Sequence, residues 1–403
     1  MKTKTKIVSV VLFLSIVILF ISCGKQKTEW QGTIEEENGV TVVKNPKEPL
    51  FGEIKFELEE DLSIGSEENE NFLFYRAWNI AVDKEGNIYV SDGGNHRIQK
   101  FDSDGNYLQT IGRKGQGPGE FESPSNLFLD FEGNIHVLDR RKIVKFSPEG
   151  KFLKNINLQS FVTDFCVDID SNIIAQIHFS NKGERKRAIG KVEEDGKIVK
   201  NIAEYSDIKP AVRKSSGGGV TTFSVFHDYT PDLCFSYIEN TRFCYGFSPD
   251  YKIDIVDSNG DILMNIQKEE PLISISQKEK DSIINRFIEN MSDRGRKWPK
   301  GVLEEACNFP KSRPFYKDII VDDKQRIYVW KVKSVLEKSE EKEFDLFSKE
   351  GLYLYKLVIP LMPKHTKLII QKGFLYNIST DEEGVVIVRR YKILNWDHVK
   401  EGI

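Results

Sequence analysis

A strand–turn–strand unit that recurs along the chain constrains the fold more than any other feature of the sequence. The clearest copy spans Ile80 to Leu108. An apolar strand leads into a Glu85-Gly86-Asn87 turn and a second strand, Ile88–Val90. A polar loop, the strand Arg97–Phe101, an Asp104-Gly105-Asn106 turn and a last strand follow. Glycine and asparagine supply the positive φ values that tight hairpins need. Further copies start at Leu127, Phe165, Leu233 and Ile319, with first turns at Gly133-Asn134, Ser171-Asn172, Glu239-Asn240 and Gln325-Arg326. The second-turn glycines are Gly105, Gly150, Gly196, Gly260 and Gly351. Their first two intervals match the period of a four-stranded propeller blade, and the longer intervals hold insertions.

A sixth unit is partial: Leu368–Ile370, Phe374–Ile378 and Val385–Ile393 give three strands. The alternating, β-branched stretch Gly39–Val43 is the expected source of the fourth. Borrowing a strand from the opposite end closes the ring and removes exposed sheet edges. The expectation is an all-β, six-bladed β-propeller.

The segment Gly86–Phe101 resembles the signature of the NHL-repeat family, and Gly115–Pro124 resembles the link that commonly leads into its next blade. The chain is also similar to six-bladed propeller lipoproteins of Bacteroidetes-type bacteria. The resemblance implies a propeller with a binding habit and no single activity. It also implies that Asp92, Asn95, His96 and Arg97 belong to the repeat itself. Asp139, Arg140 and Arg141 are their loose counterparts in the second unit.

The chain ahead of the repeats reads as an export signal. Lys2, Lys4 and Lys6 precede an apolar run from Ile7 to Ile21, then Ser22-Cys23-Gly24. That run, about 15 residues, is shorter than the ~20 of a membrane span. The segment resembles a bacterial lipoprotein signal, with Phe20 where the usual motif has leucine. This makes 1–22 the signal, Cys23 the lipidated residue, 23–35 a tether, 36–398 the propeller and 399–403 a tail. Gly24 in place of an aspartate implies delivery to the outer membrane, facing the periplasm. Net charge is −4 across 403 residues, with no basic bias, so nucleic acid is not an expected partner. Cys166, Cys234, Cys244 and Cys307 form no C-x-x-C pair, which argues against a zinc ribbon. Cys234 and Cys244 are either a hairpin disulfide or buried thiols.

Alternating strands put the 2–3 loops and the blade-to-blade links on one face. All the long segments belong to that group: Gly112–Pro124, Ser180–Lys186, Tyr205–Thr230 with Ser215–Gly219, Lys268–Phe315 and Val332–Glu343. Loops concentrated on one face of a rigid scaffold mark a functional face. In the insertion 268–315, Ser276 and Glu279 form a capping box, and Ile283, Ile284, Phe287, Ile288 and Met291 recur at helical spacing up to Gly295. That helix is expected to pack on the propeller top or to act as a lid or partner-docking helix. Arg294–Trp298 adds cations beside an aromatic.

The inner strands begin on the loop-rich face with Asn79, Asn126, Asp164, Asp232 and Asp318, and Lys367 as the sixth. Such a ring suits a hard divalent cation such as calcium, and equally suits hydrogen bonds between blades. Asp92, His96, Arg97, Asp139 and Arg140 are the candidate loop residues on that face. No G-x-S-x-G, H-E-x-x-H, P-loop or dinucleotide motif occurs. Two functions are open. One is an envelope binding module for a protein, peptide or glycan, without a cofactor. The other is a channel-centred metal-dependent lyase or lactonase, for which His227 and the inner-strand aspartates are the available ligands.

Overall fold

The computed structural model describes residues 29–181, 184–207, 211–214, 220–223, 225–293, 299–360 and 367–402. The leader, Cys23, Ser215–Gly219 and Arg294–Trp298 lie outside them.

Six antiparallel sheets form the blades. Blade one is Ala77–Val82, Ile88–Asp92, Arg97–Phe101 and Tyr107–Ile111. Blade two is Pro124–Leu129, Ile135–Asp139, Lys142–Phe146 and Phe152–Asn157. Blade three is Phe161–Val167, Ile173–Asn181, Glu184–Val192 and Ile198–Ser206. Blade four is Leu233–Glu239, Arg242–Phe247, Lys252–Asp257 and Ile262–Lys268. Blade five is Tyr316–Val321, Ile327–Lys331, Lys342–Phe347 and Tyr353–Ile359. Blade six takes Ile369–Gln371, Phe374–Thr380 and Val386–Ile393 from the end of the chain and Leu58–Ile64 from its beginning.

The repeated turn works through its leading aspartate. Asp83 Oδ1 accepts the N–H of Glu85 at 3.1 Å and of Asn87 at 2.8 Å, while Asn87 Nδ2 donates to Asp83 Oδ2 at 2.8 Å. Asp130 and Asn134 repeat the arrangement. The carboxylate satisfies turn amides that no strand can reach, and Gly86, at φ 93°, takes the conformation a side chain would resist. Each pair of neighbouring blades shares its own apolar cluster. Ile64, Ile80, Val90, Phe101, Tyr376 and Val388 pack at the seam between blades six and one.

The closing strand is not the one expected. Val40–Asn45 lies parallel to Ile262–Lys268 on the outside of blade four, in a hairpin with Thr33–Glu37. Glu53–Lys55 then adds in parallel to the outer strand of blade five, and Leu58–Ile64 completes blade six. The first described stretch is thus a belt across the outer edges of three blades. Val42 and Val43 are buried there, so their β-branched alternation does serve a strand, on another blade. The true closing strand is acidic. Its Asp61 pairs with Arg390 at 3.0 Å, and its Glu60 faces Arg389. Another departure concerns Ser180–Lys186, which is mostly strand: pairing in blade three extends to Asn181 and Glu184.

The four described cysteines are free, buried thiols. Cys234 faces Gly246 and Cys244 faces Ser236, so the hairpin register separates the two sulfurs. Ile64→Ala opens a cavity at the seam and should cost about 3 kcal/mol in urea unfolding. Ile34→Ala, on the exposed outer hairpin, should change stability by less than about 0.5 kcal/mol.

Candidate functional site

The six inner strands surround a cavity of about 1280 Å³ to which every blade contributes. Asn79, Asn126, Asp164, Asp232, Asp318 and Lys367 all line it, so the sequence register of the ring holds in space. On blades one, two, three and five the inner strand carries a β-bulge at the ring position. A bulge re-aims the side chain it carries.

The ring is tied together between neighbouring blades and across the channel. Asn79 Nδ2 donates to Asn126 Oδ1 at 2.8 Å, and Asn126 Nδ2 donates to Asp164 Oδ1 at 3.0 Å. Lys367 Nζ stands 3.7 Å from Asp164 Oδ2. Asp232 Oδ1 accepts Arg187 Nη1 at 2.5 Å. Burial pushes the Asp318 carboxyl up to about 7, with Asp164 and Asp232 adding to the rise and Lys367 and the N–H of Ile319 opposing it. Arg187 was not singled out from the sequence. It sits on the third strand of blade three, where nothing in the repeat sets it apart.

The loop candidates serve as clasps. Asp92, fully buried, accepts the N–H of Tyr75 at 2.8 Å, Asn95 Nδ2 at 2.8 Å and Arg97 Nε at 2.9 Å. Arg97 Nη2 in turn donates to the carbonyls of Glu70 and Leu73. Asp139 likewise holds the N–H groups of Glu122 and Ser123. Each aspartate pins the segment that enters its own blade. His96 and Arg140 sit at φ 57° and 55° in the tight 2–3 turns, and none of these five residues lines the cavity. His227 has both ring nitrogens engaged: Nε2 donates to Cys307 O at 2.8 Å, and Nδ1 accepts the N–H of Tyr229 at 3.1 Å. Among the described residues, no group of three or more His, Cys, Asp or Glu is placed to hold a metal ion.

Two helices, α1 (Gln277–Asp293) and α2 (Lys300–Cys307), stand between blades four and five. The capping box is formed: Ser276 N–H donates to Glu279 Oε2 at 2.9 Å, and Glu279 N–H reaches Ser276 Oγ at 3.4 Å. Ile283 and Ile284 are buried against the segment around Val225–Tyr229 and against α2. Arg286, Phe287 and Asn290 line the cavity wall, so the helix both packs on the propeller and shapes the mouth. Glu279 Oε1 also accepts Tyr229 Oη at 2.5 Å, Ser334 Oγ at 2.8 Å and the Arg313 guanidinium at 2.7 Å. One carboxylate thereby joins α1, the entry to blade four, the entry to blade five and the long loop of blade five. Burial opposes its charge, but the hydrogen bonds from Tyr229, Ser276 and Ser334 outweigh it and hold the carboxyl down at about 2. Trp78 and Phe226, both more than half exposed, stand in the cavity lining.

A family model described as "Domain of unknown function (DUF4934)" matches residues 67–292, more than half of the chain. The chain belongs to the DUF4934 family. The matched part of this DUF4934 member runs from the approach to blade one through α1. NHL repeat-containing protein 3 of Mus musculus is 28% identical over 106 residues, 20% of this chain and 30% of the mouse protein. A Caenorhabditis elegans protein named as a probable peptidyl-α-hydroxyglycine α-amidating lyase is 28% identical over 92 residues, 21% of this chain and 26% of its own. The chain thus spans less than a third of the length of these relatives. Among solved structures, a Bacteroides fragilis protein described as exported superposes with a TM-score of 0.52 at 14% identity, over 88% of this chain and 99% of its own. The NHL resemblance and the six-bladed ring both stand.

Glu279→Ala should cost about 3 kcal/mol at neutral pH, because Arg313 loses its buried partner. A carboxyl held below its ordinary 4.5 stabilises above that value and stops doing so as pH falls toward about 2. The unfolding gap between wild type and Glu279→Ala should therefore narrow between pH 7 and pH 3.

Proposed function

We propose that this DUF4934 propeller is an envelope-anchored binding module that takes a protein, peptide or glycan into the mouth of its channel. The observation that carries this reading is the cavity itself. It is large, built from all six blades and walled in part by the insertion. Its lining combines aromatic rings (Trp78, Phe226, Phe287, Trp330) with charges of both signs. Sites of this kind bind through apolar area and use a few fixed polar groups for orientation.

The path of the N-terminal chain supports anchorage at Cys23. Ile262–Lys268 runs toward the loop-rich face, Val40–Asn45 runs parallel to it, and Thr33 pairs with Lys44. The chain therefore reaches the propeller at the loop-rich rim. About 10 residues lie between Cys23 and that point, so the rim stands within ~35 Å of the lipid. Delivery to the outer membrane, facing the periplasm, belongs to the same proposal.

Peptide and glycan arrays probed with the detergent-solubilised full chain should yield ligands whose affinity drops about tenfold or more in Trp78→Ala, since exposed aromatic anchors dominate such contacts. Ligands indifferent to Trp78→Ala and Trp330→Ala would refute binding in the cavity. Cys23→Ala should move the protein from the membrane to the soluble fraction. Retention in the membrane would show that the anchor lies elsewhere.

A further inference from the structure

Three large apolar side chains on the loop-rich face stay uncovered among the described residues. Leu272, Ile273 and Leu336 are 67%, 48% and 38% exposed. The apolar cluster beneath them takes Ile275, Ile283 and Val335 and leaves these three out. None of the three lines the cavity. Their segments are held in place through one carboxylate. Arg313 N–H donates to Ile273 O at 2.9 Å, and the Arg313 guanidinium pairs with Glu279 at 2.7 Å. Ser334, in the same loop as Leu336, donates to Glu279 at 2.8 Å. Apolar side chains grouped and fixed on one rim mark a contact surface.

What lies next to this ridge identifies its partner. The chain from Cys23 meets the propeller at Trp30, whose Nε1 donates to Asn45 Oδ1 at 3.1 Å. The Trp30 ring packs on the apolar cluster that includes Val43 and Leu354. Asn45 O in turn accepts the N–H of Glu269 at 3.1 Å, and Leu272 follows three residues later. The arriving chain and the ridge therefore share one rim, within about 10 Å of backbone. From Cys23 to Trp30 is seven residues, at most about 25 Å of chain. A lipid at Cys23 brings this rim to the bilayer and leaves the facing of the wheel to a second contact.

We infer that Leu272, Ile273 and Leu336 form a membrane-contact ridge. They insert into the interface of the bilayer that holds Cys23 and set the propeller with the rim of blades four and five against the lipid. This rests on anchorage at Cys23 and goes beyond it, by giving the protein a second contact that orients it. The three side chains carry about twelve carbons together, fewer than the single acyl chain that binds membranes only marginally and reversibly. The ridge therefore orients the protein without holding it, in keeping with release of Cys23→Ala. Because the ridge lies outside the cavity lining, the mouth stays open beside the bilayer, where it meets ligands presented at the membrane surface.

The test reconstitutes the full chain in phosphatidylcholine vesicles that contain a doxyl-labelled lipid. A nitrobenzoxadiazole dye is placed on Leu272→Cys or, as the control, on Phe131→Cys. Phe131 is 61% exposed in the turn after the first strand of blade two, on the opposite face. The four described native cysteines are buried, so the introduced thiol takes the dye. At 272 the dye should lose about half its emission or more, as expected about 5–10 Å below the headgroups. At 131 it should lose almost none. Adding Ile273→Asp and Leu336→Asp should bring position 272 to the level of 131. Equal quenching at the two positions, or quenching at 272 that survives the added aspartates, overturns the ridge. A ridge built for a protein partner gives the same negative result, since these vesicles hold only lipid. If the wild-type chain floats with the vesicles, Cys23→Ala does not, and 272 is unquenched, anchorage stands and only the ridge falls. If the wild-type chain itself fails to float, both fall. Cavity binding, measured in detergent through Trp78, is separate from either outcome.

Discussion

The structure depends on one pairing between distant parts of the chain. Leu58–Ile64 lies against Val386–Ile393, and without it blade six is three strands with an open edge and the ring has a gap. The bond is more than a backbone ladder. Ile64 enters the apolar cluster shared by blades six and one, and Asp61 meets Arg390 across the strands. A propeller has no central core. Its stability is the sum of clusters between adjacent blades, so a missing neighbour exposes two apolar faces at once. The belt formed by the preceding residues spreads this dependence over blades four and five, where Asn45 bonds to Gly351 O and to the N–H of Tyr353.

Much of this was legible in the sequence, for identifiable reasons. The repeat was visible because its turns have strict local requirements: an aspartate whose carboxylate reaches the amides two and four residues on, and a glycine at positive φ. The capping box at Ser276 and Glu279 was visible for the same local reason. The closing strand was not. Val40–Val43 has the β-branched alternation that sequence patterns reward, whereas Leu58–Ile64 carries Glu59, Glu60 and Asp61 and resembles a solvent-facing stretch. Its fitness lies in complementarity to Arg389 and Arg390, more than three hundred residues away in the chain, and no window along the sequence contains both partners.

The candidate site divides along the same line. The ring from Asn79 to Lys367 follows from the blade register and lines the cavity, but its chemistry depends on groups that register cannot reveal. Arg187 neutralises Asp232 from another blade, and Lys367 spans the channel to Asp164. Asp318 is thereby left with the weakest compensation of the three aspartates. Glu279 was recognised as a helix cap, and its larger role, fastening four segments around the channel mouth, emerges only when those segments meet. The residues of the NHL signature, Asp92, Asn95 and Arg97, hold the scaffold, so the most recognisable part of the sequence speaks to the fold.

The seam also has a consequence for folding. Leu58–Ile64 and Val386–Ile393 are separated by more than three hundred residues, so the wheel can be shut only once all the blades between them are available to fold. Until then the apolar side of blade one, Ile80 and Phe101 included, has no neighbour to cover it. Non-local closure of this kind makes folding slow and leaves intermediates prone to aggregate. The time that surface stays uncovered is therefore set by how fast two distant strands find each other.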